Sequence, residues 1–356
     1  MRFPKSLVLW LSTLSPTLIH AATHQEAAMQ VFIRGADQHV QAGYTALAGE
    51  LQAFQQAATQ SCTQAVPDLT MLRTHWQRSM ALWKQVQPVH QGPIAAGNVA
   101  WQLQFWPDRK DLVGQRLRHL VSATADADAI ARGGVAAQGL PALEYLLYDV
   151  QSPLVQPSSA SAGSVMPDGC AALLAVSAHI QPGAARLAQD WAAQRPLQGD
   201  TTAVAHRLLG DVLTALEVLH DRRLGAPLGM MGTPANAQLG ESWRSDQAVV
   251  QMAETLRGVS AVLLGPDGRQ GIRPWLDGMG QAALGERLKA LLDETRGLAQ
   301  ESPAGLGAAL THGAQGDAFR QLQRLYVRLD QLRELLSGHI APALGVVRGF
   351  NSNDGD

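Results

Sequence analysis

The feature that most constrains the fold is the spacing of apolar residues at intervals of three and four along the chain. Leu69, Leu72, Trp76, Met80 and Trp83 follow this spacing, which places them on one face of a helix. Runs of β-branched and aromatic residues with period two, which indicate strands, are scarce, while Ala, Leu, Gln and Arg dominate. The sequence therefore predicts an all-α fold whose helices pack into bundles.

Further helical patterns are separated by turns rich in Gly and Pro. They cover 27–60, 108–132, 141–151, 167–194, 200–222, 240–263, 280–299 and 315–336. The stretch 224–240 is rich in Gly and Pro and is predicted to be a linker. It divides the chain into an N-terminal helical-bundle half at 23–223 and a C-terminal half at 241–350, followed by a tail at 351–356.

Charge and motifs exclude several classes of function. The chain has 28 basic and 30 acidic residues and a formal net charge of −2, so it offers no electrostatic footprint for nucleic acid and no polybasic anchor for anionic lipid. The signatures HExxH, GxSxG and CxxC are absent from the sequence. The commonest hydrolase and thiol redox motifs are therefore excluded.

The N-terminus has the layout of a secretory signal peptide. Arg2 and Lys5 precede an apolar run over 7–19, and the small residues Ala21 and Ala22 follow it. We predict a signal peptide at 1–22 and an exported protein, with an uncleaved membrane anchor as the alternative. No later stretch approaches the roughly 20 apolar residues that a spanning helix needs, so no transmembrane segment is expected after the signal is removed.

The two cysteines, Cys62 and Cys170, both follow the predicted signal peptide. In an oxidising compartment an even pair favours one disulfide, which closes a loop of about 100 residues and contributes on the order of 4 kcal/mol in the chain-entropy model. The alternative is a pair of buried thiols.

The stretch "GLPALEYLLYD" at 139–149 holds one acid, Glu144, among apolar residues. Pro141 suits a first helical position, so Glu144 falls in the first turn, where a carboxylate compensates the helix dipole. The functional interpretation pairs Glu144 with Tyr148 at i, i+4, because a half-buried carboxylate beside a phenol can bind a hard cation or shift its pKa.

This stretch resembles the G-x-H-x-x-E signature of the imelysin family. Gly139 and Glu144 match the signature, and Pro141 stands where the family has His. Three other stretches are similar to the family in the same order along the chain. They are the tryptophan-rich run at 76–110 with its "FWPD", "RLGAPLG" with "ESWRSDQ" at 223–229 and 241–247, and the terminal "LGVVRGFNSNDGD" at 344–356.

The resemblance implies two four-helix-bundle-like halves packed together, with a site in a groove where they meet. It also implies a periplasmic protein, often linked to iron acquisition, in a family named for a metallopeptidase. A catalytic metal normally needs about three protein ligands and a water, and Pro141 has no side chain to offer. The departure at Pro141 therefore argues against peptidase activity.

Candidate metal ligands that join Glu144 are Glu217 and His220, which lie at i, i+3 on one predicted helix. Bundles use this spacing to present an acid and an imidazole from one face. The alternative for His220 is a core histidine, since leucines share its face. His75 and His90 are weaker candidates.

Candidate groove residues are Tyr148 and, from "FWPD" and the residue that follows it, Trp106, Asp108 and Arg109. The alternative for Pro107 and Asp108 is an ordinary helix start.

Two classes of function follow, with a third behind them. The first is a non-enzymatic periplasmic protein that binds a metal ion, iron or a divalent ion, or a metal-linked ligand or partner in the groove. The second is a metallopeptidase in which Glu144 is the catalytic base or a ligand. The third is a helical scaffold for envelope partner proteins.

Overall fold

The computed structural model describes residues 16–122, 126–156, 169–265, 270–302, 305–311, 313 and 316–346. Across these ranges the regular elements are all helical and strands are absent, which confirms the all-α prediction. Positions 1–15 of the predicted signal peptide and the predicted tail at 351–356 lie outside the described residues.

The α-helices of the described ranges are α1 (Pro16–Ser61), α2 (Leu69–Val86), α3 (Val99–Leu103), α4 (Leu112–Ser122), α5 (Ala127–Arg132), α6 (Gly139–Tyr148), α7 (Cys170–Gln194), α8 (Thr201–Glu217), α9 (Ala248–Leu264), α10 (Arg273–Gly278), α11 (Ala282–Gln300), α12 (Leu306–Thr311), α13 (Asp317–Glu334) and α14 (Ala341–Ala343). Two π-helical segments, Val218–Gly225 and Leu335–Ile340, continue α8 and α13 without a break.

The helices pack in two groups. In the first group α1 lies along α2 and α7, and α6 packs against α2 and α7. In the second group α11 packs between α9 and α13. Contacts of α9 with α2 and α1 join the groups, and α8 contacts both α1 and α13. The residue boundary between the two halves stays a prediction, because α8 touches helices of both groups.

Helix α2 illustrates why the apolar spacing folds as it does. The Asp68 carboxylate accepts a hydrogen bond from the Met71 N–H at 3.0 Å and caps the first turn. Trp76, Met80 and Trp83 are buried along one face, as their spacing predicts. The same face ends on a charged residue, Lys84, which is also fully buried, so the apolar stripe of α2 leads directly to a polar site.

The helix predicted to begin at 240 instead begins at Ala248. The preceding residues form a turn in which Ser242 and Asp246 have positive φ angles of 48° and 55°, a conformation that costs a non-glycine residue of order 1–3 kcal/mol. The Asp246 carboxylate accepts hydrogen bonds from the backbone N–H groups of Gly307 and Ala308 at 2.7 and 3.2 Å. Tertiary contacts therefore hold this turn against the local preference for helix.

The predicted linker at 224–240 packs onto the rest of the molecule. Leu224 and Leu228 are buried, and a short 3₁₀ turn at Ala237–Leu239 leads into the turn before α9. This stretch therefore leads from the π-helical continuation of α8 to the turn before α9, and it contributes walls to two cavities.

The predicted disulfide is confirmed. Cys62, just after α1, is bonded to Cys170 at the start of α7, across 108 positions of sequence. It fastens the two longest helices of the first group to each other at one end. Of the helices in the described ranges, none is both long enough and apolar enough to cross a bilayer.

Candidate functional site

The site is built around α6, which begins in a tightly confined backbone. Gly139 has φ of +76°, and a Cβ there would lie 2.4 Å from the Gln102 carbonyl oxygen and 2.5 Å from that of Leu103. The indole N–H of Trp76 donates to the Leu140 carbonyl oxygen at 2.9 Å. Only glycine allows α6 to approach α3 this closely, and that approach sets where the next residues point.

Glu144 lies one turn further along α6 and is only 3% exposed. Because α6 begins at Gly139, two residues before Pro141, Glu144 lies beyond the first turn, and its predicted position within that turn is wrong. Its Oε1 atom accepts hydrogen bonds from the backbone N–H and the hydroxyl of Ser245, at 2.9 and 2.8 Å. Burial raises the pKa of the Glu144 carboxyl to about 7, although the Ser245 hydrogen bonds and the Arg244 charge oppose the shift. This carboxyl therefore exchanges its proton near neutral pH.

A second buried acid, Glu241, lies close enough for its charge to raise the pKa of Glu144. The Lys84 ammonium and the Gln104 amide both donate to Glu241 Oε1, and Arg223 Nε lies 3.3 Å from Glu241 Oε2. Burial opposes ionisation of Glu241, but the charges of Arg223 and Lys84 outweigh it and hold the Glu241 pKa below its usual range. Glu241 is therefore an ionised carboxylate with two cationic partners.

Lys84 is fully enclosed by this cluster. Its ammonium also donates to the side-chain oxygens of Gln104 and Gln87, at 2.8 and 3.0 Å. Burial lowers the pKa of Lys84 to about 7; the Arg223 charge adds to the effect, whereas Glu241 opposes it. All three ammonium protons thus have an acceptor, as a buried cation requires.

Arg244 fixes the turn that carries Glu241 and Ser245. Its guanidinium pairs with Asp111, and its Nε lies 2.8 Å from Asp149 Oδ2. The guanidinium also packs over the Trp243 and Tyr145 rings, at 4.4 and 5.5 Å from their centroids. These contacts connect the turn before α9 to both ends of the segment that holds α4 and α6.

Two adjoining cavities open at this point. The first, here named the cleft, has a volume of about 30 Å³ and is lined by residues that include Trp106, Asp108, Glu144, Glu241 and Arg244. Its volume is room for one or two water molecules or one ion.

The second cavity, here named the vestibule, has a volume of about 350 Å³, within the range of small-molecule sites. Its walls include Pro107, Arg109, Arg222, Met231 and Leu239. Trp106, Asp108 and Gln238 line both cavities, so the vestibule leads towards the cleft.

The predicted groove residues are partly brought together. Trp106 and Asp108 lie between cleft and vestibule, and Arg109 lines the vestibule. Asp108 also accepts from the backbone N–H groups of Leu112 and Val113, at 2.7 and 2.9 Å, so it starts α4 as well. Tyr148 is not among the residues lining either cavity.

Tyr148 instead lies in an aromatic and cationic cluster beside α2. Its ring is 5.2 Å from the Trp76 ring, the Arg73 guanidinium lies 4.9 Å from its centroid, and its hydroxyl accepts from the Gln77 amide at 3.1 Å. Glu144 and Tyr148 therefore share a helix but contact different surroundings.

Glu217 and His220 are likewise outside the cleft. His220 is buried, its Nδ1 atom lies 2.5 Å from Asp221 Oδ1, and its ring stacks on Tyr326 at 4.0 Å. Of the weaker candidates, His75 pairs with Glu50 at 2.7 Å, and His90 lines a separate cavity.

The donor set of the cleft does not fit a resident metal ion. Glu241 already carries two cationic partners and Glu144 accepts two hydrogen bonds, so a bare cation there would meet the charges of Lys84 and Arg223. Among the residues that the structure describes, no group of three or more His, Cys, Asp or Glu side chains is arranged to hold a metal.

Several of these residues were missed by sequence reasoning: Lys84, Gln104, Arg223, Glu241 and Ser245. Only Lys84 carried a visible signal, because it lies four positions after Met80 on the apolar face of α2. A charge at a core position indicates a buried partner, but the sequence does not say which residue that partner is.

Comparison with known proteins places this arrangement in a family. The family model described as Imelysin matches residues 40–337. Among solved structures, an imelysin-like protein from Psychrobacter arcticum 273-4 superposes with a TM-score of 0.74 at 19% identity, covering 92% of this chain and 98% of that one.

A protein from Parabacteroides distasonis ATCC 8503, described as an iron-regulated protein A precursor, superposes with a TM-score of 0.64 at 12% identity, covering 88% of this chain and 95% of that one. At these identities the two structures support the fold alone. The comparison with curated proteins finds no match. Since the family model covers most of the sequence, the chain belongs to the imelysin family.

Proposed function

We propose that this chain is an exported binding protein of the imelysin family, without peptidase activity, that takes up an anionic, metal-linked ligand through the vestibule. The proposed metal is iron, and it is cargo that arrives bound to the ligand. The observation that carries this proposal is the charge at the site: the buried acids already have partners, whereas two arginines at the entrance have no carboxylate partner within the part of the chain that the structure describes.

The vestibule supplies the recognition. Among the described residues, neither Arg109 nor Arg222 has a carboxylate within ion-pair distance, and both are exposed. Guanidinium groups bind carboxylates and phosphates through paired N–H donors. Pro107, Met231 and Leu239 add apolar walls to the same cavity. This combination suits an organic anion that presents carboxylates around a chelated ion.

Two further observations support the iron and export parts. The structure from Parabacteroides distasonis is described as an iron-regulated protein A precursor, and it shares this fold over most of its length. The sequence at 1–22 has the basic, apolar and small-residue layout of a signal peptide.

Cell fractionation with N-terminal sequencing tests export. We expect mature protein in the periplasm, processed near Ala21 or Ala22. Unprocessed protein in the cytoplasm would contradict export.

Binding is tested by calorimetry with ferric citrate, and with Fe²⁺ and Zn²⁺ salts as bare ions. We expect one ferric citrate site per chain and no stoichiometric uptake of either bare ion. The double variant Arg109→Gln, Arg222→Gln should weaken ferric citrate binding at least tenfold. Arg186→Gln, at an exposed arginine on α7, is the matched control and should bind as the native chain does.

Two results would overturn this proposal. The first is tight binding of a bare ion that is lost in Glu144→Ala, which would mean a resident metal site. The second is ferric citrate binding that the double arginine variant leaves unchanged, which would place recognition elsewhere.

A metallopeptidase is the second candidate, because Glu144 combines a position in the cleft with a pKa of about 7, the range of a general base. It requires cleavage of a protein substrate that a chelator blocks and that Glu144→Gln abolishes. We expect neither result. Lys84 and Arg223 already neutralise Glu241, so this second acid of the cleft is not free to bind a hydrolytic metal ion.

A further inference from the structure

A third cavity, here named the Arg223 cavity, lies between the end of α2, helix α8 with its π-helical continuation, and α9. Its volume is about 240 Å³, and none of its lining residues also lines the cleft or the vestibule. Drug-sized ligands occupy about 300–1,000 Å³, so this cavity suits a smaller molecule.

One wall of the cavity is cationic. Arg223 is only 5% exposed, and its Nη2 and Nη1 atoms donate to Gln87 Oε1 at 2.6 Å and Thr255 Oγ1 at 3.5 Å. Gln87 and Thr255 line the cavity too, so the outer guanidinium nitrogens lie at its wall. The π-helical turn Val218–Gly225 presents Arg223 there, and such turns frequently occur at functional sites.

The charge balance behind this wall favours an anion. Arg223 and Lys84 are both buried and share one carboxylate, Glu241. A ligand carboxylate placed against the outer nitrogens of Arg223 would compensate the second cation, and a guanidinium offers paired donors for that geometry.

The cavity lining also includes one acid, Asp211. Asp211, on α8, accepts hydrogen bonds from the His90 backbone N–H at 3.1 Å and the Gln91 amide at 2.7 Å, and both reach Oδ2. Its Oδ1 atom keeps acceptor capacity for a ligand. An ammonium group is the natural partner of a partly enclosed carboxylate.

We propose that the Arg223 cavity binds a small zwitterion of the size of a free α-amino acid, with its carboxylate against Arg223 and its ammonium against Asp211. Thr214 and Ala215 follow Asp211 on α8, before the π-helical turn that carries Arg223, and they also line the cavity.

The test uses calorimetry on the full mature chain with a panel of free L-amino acids. L-valine is accompanied by isovalerate, which lacks the ammonium, and by isobutylamine, which lacks the carboxylate. We expect one site per chain for at least one amino acid of the panel. For that amino acid, we expect the analogue that lacks the ammonium and the analogue that lacks the carboxylate each to bind at least tenfold more weakly.

Variants locate the site. Thr214→Leu and Ala215→Leu fill the cavity and should each abolish amino-acid binding, whereas Thr202→Leu, exposed on the same helix, should not. Asp211→Asn should weaken amino-acid binding at least tenfold and leave isovalerate unaffected, with Asp190→Asn as the matched loss of charge. Arg223 itself is left intact because it also supports Glu241.

Three results would overturn this inference: no amino acid of the panel binding to the folded chain, binding that survives both cavity-filling variants, or equal affinity for valine and isovalerate where valine binds. Ferric citrate binding measured on Thr214→Leu separates this site from the vestibule, since we expect it unchanged. The two proposals can therefore fail independently.

Discussion

Glu144 Oε1 accepts both hydrogen bonds that Ser245 can donate to it, at 2.9 Å from the backbone N–H and 2.8 Å from the hydroxyl. The two residues are 101 positions apart, so this contact fastens α6 to the turn before α9. Because burial raises the pKa of Glu144 to about 7, the charge at this junction changes near neutral pH.

The stability of the chain should therefore depend on pH through Glu144. A carboxyl whose pKa is raised in the fold binds its proton more tightly when folded, so its contribution is most favourable below its ordinary value of 4.5 and is lost as pH rises towards 7. Glu144→Gln imitates the protonated acid and escapes this loss. We expect it to gain on the order of 3 kcal/mol over the native chain between pH 4.5 and pH 8.

Urea unfolding of both proteins across this pH range measures the difference. Glu26→Gln, at an exposed acid of α1, controls for loss of one carboxylate. Ser245→Ala removes the hydroxyl that donates to the ionised Glu144 carboxylate, so it should raise the pKa of Glu144 further. The loss of stability should then extend to higher pH. A constant difference between Glu144→Gln and the native chain at all pH values would show that Glu144 is ionised throughout.

The pairing of Glu241 with Lys84 and Arg223 predicts strong coupling. Glu241→Gln removes the carboxylate that Lys84 and Arg223 share. Because the Glu241 charge supports the Lys84 ammonium, Lys84 then loses its proton more easily, and Arg223 stays as a buried cation without a carboxylate, which should lower the free energy of unfolding by about 3–5 kcal/mol. Adding Lys84→Met removes the enclosed amine that has lost its partner and should restore about 1–3 kcal/mol. Denaturant unfolding of the single and double variants gives the coupling energy.

An exposed ion pair is the appropriate comparison. Lys289 and Asp293 pair at 2.5 Å with both side chains about two-fifths exposed, so Asp293→Asn should cost less than about 1 kcal/mol. If Glu241→Gln were equally mild, Glu241 would be solvated in the folded chain and the buried cluster would be wrong.

The disulfide should contribute through the unfolded state. It joins residues 108 positions apart, and a loop of that length gives about 4–5 kcal/mol in the chain-entropy model. We expect Cys62→Ala with Cys170→Ala to lose about 2–5 kcal/mol while keeping its helical circular dichroism. Reductant should weaken the native chain to the same degree and leave the double variant unaffected, whereas equal stability of the two proteins would contradict the prediction.

Local patterns predicted the helices well because burial repeats along a helix every three or four residues. The face of α2 with Trp76 and Met80 is buried as its spacing requires, and the pair of cysteines forms the expected bridge. The turn at 241–246 was predicted as helix because its conformation depends on distant partners such as the Gly307 N–H, which no local pattern contains.

The site was only partly predictable for the same reason. The i, i+3 spacing of Glu217 and His220 fixes their distance along one helix but not what the helix faces, and His220 faces Tyr326. The position of Lys84 on the apolar face of α2 indicates a buried charge, but its partner Glu241 lies 157 positions away. Pairs so far apart in sequence depend on how whole helices pack against each other. The local pattern of one sequence does not determine which residues of two distant helices meet.

Gly139 offers a test of how tightly the site is positioned. Its φ of +76° disfavours any side chain, and a Cβ would lie 2.4 Å from the backbone carbonyl oxygen of Gln102, which cannot move away as a side chain would. Gly139→Ala should therefore cost at least about 2 kcal/mol. It should also displace Glu144 from Ser245 and weaken the pH dependence described above. Gly49→Ala, inside α1 with open space around it, should instead stabilise by about 0.5–1 kcal/mol. Thermal and urea unfolding of the two variants distinguish them, and a Gly139→Ala protein as stable as the native chain would mean that α6 approaches α3 less closely than described.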